Sequence, residues 1–228
     1  MKPVALITGG ARAIGRAIAE ELATDHDIAV TYNTTPPDAL LARFPNALAL
    51  EADLSKTASA TEIIGQIIRR FGRIDVIVNN AGAIVTDEVD LAMIFAVNVA
   101  APKALLDAAL PHLKEGASVI NVSSVNAVLP AMGAVGYSSS KAALDAWTRG
   151  MAKTLGPQGI RVNGIAPGAI EREEAPPPPE LVQQFVEMTA LGRSGVPTDI
   201  AKDARFLARD ASAFITGETI TVSGGYRL

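Results

Sequence analysis

Short apolar runs rich in Val and Ile alternate along the chain with longer segments in which apolar residues recur at helical spacing. Helical spacing predicts helices at residues 14–25, 38–44, 59–72 and 102–113. Nearly continuous apolar strands separated by helices indicate a parallel sheet covered on both faces, so we expect an α/β fold with a doubly wound, seven-stranded parallel sheet. The predicted strands lie at residues 4–8, 28–32, 47–53, 75–82, 118–124, 161–168 and 219–225.

No linker or internal repeat divides the chain, so the pattern predicts a single domain over 1–228. The proline-rich stretch 175–180 is interpreted as a stiff loop within that domain. In doubly wound sheets, ligands bind beyond the carboxyl ends of the strands. The polar clusters of this sequence follow predicted strands, and we therefore expect them to form one site at that edge of the sheet.

Composition narrows the possible functions. With 228 residues, 49% of them hydrophobic, the chain can bury a substantial core. A net charge of −4 without a long Lys or Arg run argues against a nucleic-acid partner. The lack of cysteine excludes disulfides and thiolate chemistry, and two isolated histidines, His26 and His112, do not make a zinc pattern. No apolar run approaches the roughly 18 residues of a membrane span and no signal peptide precedes the first strand, so we expect a cytoplasmic protein.

The stretch TGGARAIG, residues 8–15, joins the first predicted strand to the first helix. Glycines there permit a tight turn and let backbone N–H groups approach a pyrophosphate at the helix N-terminus. The spacing runs from Gly9 through Ala13 to Gly15 and differs from the G-x-G-x-x-G pattern. By itself, the stretch is consistent with either a phosphate loop or an ordinary strand–helix turn.

Two further clusters carry groups suited to proton transfer. Tyr137 and Lys141, in YSSSK, are four residues apart and share one helix face, where an ammonium favours the phenolate form of tyrosine. Ser124 ends the strand before them and offers a hydroxyl to a substrate carbonyl. Each residue also has a simpler interpretation, as a surface Tyr–Lys pair and as a serine that caps a helix or loop.

Three more polar residues and one short stretch have two interpretations each. Asn79, in NNAG, and Asn98, in an apolar run, could serve a ligand or fix the backbone inside the sheet. Asp53, after the third strand, could accept from an adenine amino group or cap the next helix. The stretch PGAI, residues 167–170, could contact a ligand or form a turn.

Taken together, NNAG, Ser124 and the Tyr137–Lys141 pair, set after the fourth and fifth strands, resemble the short-chain dehydrogenase/reductase family. The resemblance covers Thr8 to Gly225 and implies a Rossmann-type, NAD(P)-binding domain. It implies that Tyr137 is the general acid or base, assisted by Lys141, that Ser124 orients the carbonyl, and that Asn98 holds a water. The reaction implied is hydride transfer between nicotinamide C4 and a carbonyl or alcohol carbon. The enoyl reductase branch is disfavoured, since it would space Tyr and Lys differently.

The resemblance also implies the cofactor contacts. Ile170, after Pro167 and Gly168, is expected at the carboxamide. The remaining contacts, together with Tyr137 and Lys141, are expected from Gly9, Arg12, Ile14, Gly15, Asn33, Thr34, Asp53, Leu54, Asn79, Ala81 and Gly82.

NADP(H) is favoured over NAD(H). An acidic residue at the end of the second strand would bind the ribose 2′-hydroxyl and repel a 2′-phosphate. Tyr32 stands at that position, and the next acid is Asp38. Arg12 offers a guanidinium that suits a phosphate dianion, although it could also be a solvated loop charge.

Three departures from the family pattern affect these expectations. Ala13 replaces a glycine and places a methyl group close to the pyrophosphate. Only sixteen residue steps separate Gly82 from Asn98, which predicts a short helix near 91–95 and weakens the inference of a homodimer or homotetramer. Arg172 stands where a Thr commonly contacts the cofactor, and it could bind an anion or point into water.

Residues 171–197 are predicted to form a substrate lid, with a surface excursion or a subunit contact as the alternatives. Ser124, 126–136 and the lid are expected to line a pocket for an uncharged or mixed-polarity carbonyl or alcohol. Two other functions stay open. One is a nucleotide-binding sensor on the same fold, and the other is a non-redox lyase or isomerase that uses the same four residues.

Overall fold

The structure is a computed structural model that describes residues 2–83, 90–171 and 178–227. Seven parallel strands form one sheet in the order β3-β2-β1-β4-β5-β6-β7. This order confirms the predicted doubly wound α/β fold, with its reversal between β1 and β4. The strands are β1 (Val4–Ile7), β2 (Asp27–Tyr32), β3 (Leu48–Glu51), β4 (Val76–Asn79), β5 (Ser118–Val122), β6 (Arg161–Pro167) and β7 (Thr219–Val222).

Helices cover both faces of the sheet, as the apolar strands require. On one face, α1, α2 and α8 pack over the strands, and on the other α3, α5 and α6 do so. The helices are α1 (Ala13–Leu22), α2 (Asp38–Arg43), α3 (Ser59–Phe71), α4 (Leu91–Phe95), α5 (Ala101–Ala109), α6 (Val135–Leu155), α7 (Pro179–Glu187) and α8 (Pro197–Leu207).

The alternation of side chains along each strand divides the core between the two faces. Leu6 and Ile77 point towards α3 and α5, while their neighbours Ile7 and Val78 point towards α1 and α8. Both sets are fully buried, which explains why the strand sequences are apolar at nearly every position.

The predicted strands were too long at their carboxyl ends. The polar residues that follow β4, β5 and β7 leave the sheet ladder and enter loops, so that β4 ends at Asn79 and β5 at Val122. Those residues are therefore free to line a site beyond the sheet edge.

The short helix expected near 91–95 has those bounds, but it does not end there. A π-helical turn, Ala96–Ala100, joins α4 to α5, and a 3₁₀ turn follows at Leu110–His112. Together they make one continuous helical rod, Leu91–His112, that is long and apolar enough to cross a membrane. The pattern of apolar residues predicted separate helices near 91–95 and at 102–113, and so it did not indicate a helix of this length. The rod packs on the sheet and carries an ion pair between Lys103 and Asp107, as a core helix does.

Leu106→Ala tests the packing of this rod. Leu106 is fully buried among side chains of α3 and β4, so its truncation is expected to lower the free energy of unfolding by about 2–5 kcal/mol. Chemical denaturation measures the change. Phe214→Ala is the control, because Phe214 is fully exposed and its truncation should change stability by no more than about 0.5 kcal/mol. Equal effects in the two variants would contradict this packing.

Candidate functional site

A cleft of about 610 Å³ lies beyond the carboxyl ends of β1 to β4, at the reversal of strand order. The loop after β1, the residues after β2 and β3, and the turn after β4 form its walls. Ten of the predicted cofactor residues line it: Gly9, Arg12, Ile14, Gly15, Asn33, Thr34, Asp53, Leu54, Ala81 and Gly82. The structure therefore brings together segments as far apart in sequence as Gly9 and Gly82.

The loop at 8–15 is held in shape by the NNAG turn. The Thr8 hydroxyl accepts hydrogen bonds from the N–H groups of Asn80 and Ala81, at 3.0 and 2.9 Å. The Asn80 amide donates to the Thr8 carbonyl at 2.9 Å. At Gly15, an added Cβ would lie 2.2 Å from the Gly9 carbonyl oxygen, so only glycine fits where α1 meets the loop.

The mouth of the cleft beside β2 is lined by neutral side chains and one cation. Tyr32 ends the strand, Asn33 and Thr34 follow it, and Arg12 lines the cleft from the loop after β1. Asp53 is the carboxylate among the lining residues. Its Oδ1 accepts from the N–H and hydroxyl of Ser55, which lowers the Asp53 pKa and fixes the turn after β3.

Tyr137 and Lys141 lie one turn apart on the buried face of α6. The Lys141 Nζ is 5.7 Å from the centre of the Tyr137 ring and donates to the Val122 carbonyl at 2.7 Å. Lys141 is only 3% exposed, and this burial lowers its pKa to about 8. The interpretation as a surface Tyr–Lys pair is therefore wrong.

Ser124 follows β5 beside this pair. Its Oγ accepts from the Asn126 N–H at 3.1 Å and caps the short turn Val125–Ala127, so the capping interpretation is correct in part. The apolar residues that follow are strongly exposed at Val128, Met132 and Val135. They form an exposed apolar stretch between Ser124 and Tyr137 in the chain.

Asn98 lies in the π-helical turn and connects two parts of the site. Its Oδ1 accepts from the Ala83 N–H at 2.8 Å, and its Nδ2 donates to the Ser140 hydroxyl at 2.9 Å. The Ser140 hydroxyl in turn donates to the Tyr137 carbonyl at 2.7 Å. Ser140 was missed by the sequence analysis, because a serine inside a helix has no pattern that shows which partner it meets.

Asn79 has the second of its two interpretations, as a buried side chain within the sheet, and does not line the cleft. Its side chain is buried inside the sheet and donates to Asn121 Oδ1 at 2.8 Å, and Asn121 donates to Thr148 on α6. The neighbouring Asn80 lines the cleft instead, because it follows the end of β4 and its side chain turns to the loop after β1, where it donates to the Thr8 carbonyl. Ala83, Met93 and Val97 also line the cleft, and the last two were not found because the joined helix that carries them was not foreseen.

The predicted carboxamide contacts lie after β6, outside the lining of the cleft. Pro167 ends β6, and Gly168 packs so closely on Ser223 that an added Cβ would lie 2.7 Å from its Cβ. Ile170 pairs with Gly195 and lines a second cavity of about 300 Å³. Of the predicted lid, residues 171 and 178–197 are described, and Tyr226, which follows β7, packs edge-on against Phe185 of α7. Arg172 lies outside the described residues.

Comparison with known proteins gives the family. Residues 9–227 match the family model described as enoyl-(acyl carrier protein) reductase. An uncharacterized oxidoreductase of Methylorubrum extorquens is 39% identical, over 98% of this chain and 97% of its own. A short-chain dehydrogenase from Burkholderia cenocepacia, solved in complex with NADP, superposes with a TM-score of 0.94 at 32% identity, covering 99% of this chain and 98% of its own.

The chain is a short-chain dehydrogenase/reductase. Another relative is the chloroplastic NADPH-dependent aldehyde reductase 1 of Arabidopsis thaliana, which is 34% identical over 97% of this chain and 85% of its own. The matched family description names enoyl reduction, whereas the four-residue spacing of Tyr137 and Lys141 is the feature that disfavours that branch. The family places the protein among oxidoreductases and leaves its substrate open.

Ala13 affects this dehydrogenase/reductase differently from what the sequence suggested. Its φ of 45° lies in the left-handed region, where an L-residue other than glycine is strained. Besides a methyl group beside the cleft, the residue therefore introduces backbone strain at the first turn of α1.

Ala13→Gly is expected to raise the free energy of unfolding by about 0.5–1 kcal/mol. Relief of about 1–2 kcal/mol of left-handed strain exceeds the added flexibility of the unfolded chain, which costs about 0.4–1 kcal/mol. Ala13→Val, with a branched side chain at the same φ, is expected to lower it. Denaturant melts of the three proteins measure both changes, and a glycine variant less stable than the parent would argue against the strain.

Proposed function

We propose that this protein is an NADP(H)-dependent oxidoreductase that transfers a hydride between nicotinamide and a carbonyl or secondary alcohol, with Tyr137 as general acid or base. The observation that carries the proposal is the burial of the Lys141 ammonium beside the Tyr137 ring. The Lys141 Nζ lies 3.6 Å from the position of an added Cβ on Gly82, and Gly82 lines the nucleotide-sized cleft. A buried ammonium is costly, and such groups cluster at functional sites.

The residues of the cleft fit a dinucleotide. Gly9 and Gly15 let the loop after β1 pack closely at the N-terminus of α1, since an added Cβ would lie 3.2 Å from Ala81 Cα at Gly9 and 2.2 Å from the Gly9 carbonyl oxygen at Gly15. A helix N-terminus attracts phosphate. The cleft extends from Asp53 and Leu54, which suit an adenine ring, to Gly82 and Ala83. The Ala83 N–H donates to Asn98 there. When bound, the cofactor would supply or accept the hydride, and these residues would bind and orient it.

Proton transfer would be performed by the chain's own groups. Tyr137 would give its hydroxyl proton to the carbonyl oxygen during reduction, and Lys141 would stabilise the phenolate that remains. The Ser124 hydroxyl would hold the carbonyl oxygen beside Tyr137. Asn98 and Ser140 keep this arrangement in place, since together they tie the turn at Ala83 to the Tyr137 backbone.

Preference for NADP(H) is supported by charge. Near the end of β2, the cleft offers Asn33, Thr34 and the Arg12 guanidinium to a 2′-phosphate, and the residues that follow the strand there carry no acid. The Burkholderia structure contains NADP, and the Arabidopsis relative is named for NADPH. An acidic residue at this place would instead repel the phosphate.

The substrate proposed is a small carbonyl or alcohol without net charge. Val128, Met132 and Val135 form the exposed apolar stretch that follows Ser124 in the chain, and Leu91 adds to it through its contact with Gly136. We further propose that the protein acts in the cytoplasm as a homodimer or homotetramer. The exposed small residues Ala142 and Ala146 of α6 support close approach of a second copy.

Tyr137→Phe is expected to reduce NADPH-dependent turnover by at least about 100-fold, because it removes the transferable proton and keeps the ring. NADPH oxidation is followed by absorbance against a panel of ketones, quinones, pterins and ketoacyl thioesters, and NADPH affinity is measured by calorimetry. Tyr226→Phe is the matched control and should keep full activity. Tight NADPH binding without turnover of any panel member by the parent would favour a sensor, and an active Tyr137→Phe would refute the proton-transfer role.

Arg12→Ala is expected to weaken NADPH binding by about 10- to 100-fold, as for the loss of a charge-assisted hydrogen bond, and to leave NADH binding nearly unchanged. Calorimetric titration of both nucleotides measures the difference. Arg43→Ala is the control, because Arg43 is an exposed cation that pairs with Glu20 and does not line the cleft. Equal losses for NADPH and NADH, or tighter binding of NADH by the parent, would contradict NADP preference.

A further inference from the structure

Asp145 is a buried carboxylate that the proposed reaction does not use. It lies on α6, one turn after Lys141 and on the same buried face, and is 8% exposed. Among the described residues, none brings a cation within direct ion-pair distance of it. A carboxylate in this position is unusual, because burial penalises the charged form unless a partner compensates.

Three elements provide the surroundings of this carboxylate. Lys141 precedes it and Arg149 follows it on α6, while the hydroxyl of Ser123 lies beside it from the end of β5. From β7, the Thr219 hydroxyl donates to Asp145 Oδ1 at 3.4 Å. These are the charged and polar groups that act on Asp145 from the elements packed against it.

The sheet makes room for the Thr219 contact. Gly164, the neighbour of Thr219 on β6, has no side chain, and an added Cβ there would lie 2.6 Å from Thr219 Oγ1. The hydroxyl occupies that space and reaches the carboxylate. On the other side, Ser123 stands between Val122, whose carbonyl accepts from Lys141, and Ser124. Asp145 is thus built into the junction of α6 with the strand that carries the site.

The charges of Asp145 and Lys141 act on each other. Burial raises the pKa of Asp145 and lowers the pKa of Lys141 to about 8, and the negative charge of Asp145 opposes the second effect. With a pKa of about 8, the fraction of Lys141 that is protonated changes with a modest change in its surroundings.

We propose that Asp145 is a positioning residue whose buried carboxylate keeps Lys141 in the ammonium form while Tyr137 exchanges its proton. This inference rests on the proposed function for its catalytic consequence. It acts through Lys141 alone, since Asp145 lies behind Lys141 and contacts neither the cleft nor Tyr137 in the hydrogen bonds described. The competing explanation is that Asp145 only anchors β7 to α6 through Thr219.

The variant Asp145→Asn separates these two explanations. Because the pKa of Asp145 is raised in the folded protein, ionisation disfavours the folded state as pH rises from the ordinary carboxyl range through that raised value. Asp145→Asn removes this cost and keeps the shape of the side chain. The variant is therefore expected to be at least as stable as the parent at neutral pH. Because its amide oxygen can still accept from the Thr219 hydroxyl, Asp145→Asn keeps the anchor, and an anchor alone predicts that the titration of Lys141 stays unchanged in this variant.

The test measures the protonation of Lys141 directly. In protein with isotopically labelled lysine, the pH titration of the Lys141 side-chain resonance is followed by NMR in the parent, Asp145→Asn and Asp145→Glu. The midpoint is expected to fall by about one pH unit in Asp145→Asn, at the low end of the effect of a nearby charge, and to return towards the parent value in Asp145→Glu. Asp107→Asn, on the exposed ion pair of α5, is the control and should leave it unchanged.

In kinetics, the alkaline limb of kcat/KM for carbonyl reduction should move to lower pH in Asp145→Asn by the same amount, with NADPH affinity at neutral pH retained. Should Asp145→Asn fail to fold, Thr219→Val replaces it, and a smaller shift of the Lys141 midpoint in the same direction is expected. An unchanged midpoint in the folded variant overturns the inference. Absence of turnover in the parent overturns the proposed function, and the NMR titration still decides the role of Asp145.

Discussion

The arrangement of the site depends on one interaction, the hydrogen bond from the buried Lys141 ammonium to the Val122 carbonyl. This contact fixes α6 against the end of β5 and so sets the position of Tyr137 relative to Ser124. An ammonium removed from water must be compensated, and here a carbonyl at 2.7 Å and the charge of Asp145 do so. Burial lowers the pKa of Lys141 to about 8, and the charge of Asp145 opposes this lowering.

A few hydrogen bonds and one close glycine contact likewise shape the other half of the cleft. At the reversal of strand order, the Thr8 hydroxyl accepts from the Asn80 N–H, and the Asn80 side-chain amide donates to the Thr8 carbonyl. Gly15 lets α1 pack directly against the loop after β1. Ala13 is the exception, because its left-handed φ adds strain at the point where the phosphate loop turns into the helix. A site that depends on glycine at one position thus tolerates a methyl two residues earlier.

The sequence predicted most of the cleft, for a definite reason. The phosphate loop, Asp53 and Gly82 follow strands whose apolar pattern is strong, and parallel strands bring their carboxyl ends to one edge. Where the prediction failed, the decisive fact was a side-chain direction or a partner distant in sequence. Asn79 and Asn80 are neighbours, yet Asn79 is the last residue of β4 and bonds to Asn121 inside the sheet, whereas Asn80 follows the strand and lines the cleft. Met93 and Val97 were missed because a π-helical turn joins two helices that the pattern had separated.

By itself, the sequence determined the fold class and the place of the polar clusters after the strands, because periodicity is a property of the chain. The Asn98, Ser124, Tyr137 and Lys141 set is a prediction from the resemblance to the family. Only the tertiary structure decided that Lys141 is buried, that Ser140 links Asn98 to Tyr137, and that Asp145 lies behind Lys141 against Thr219. These facts depend on which elements pack together, and packing sets the burial that moves a pKa.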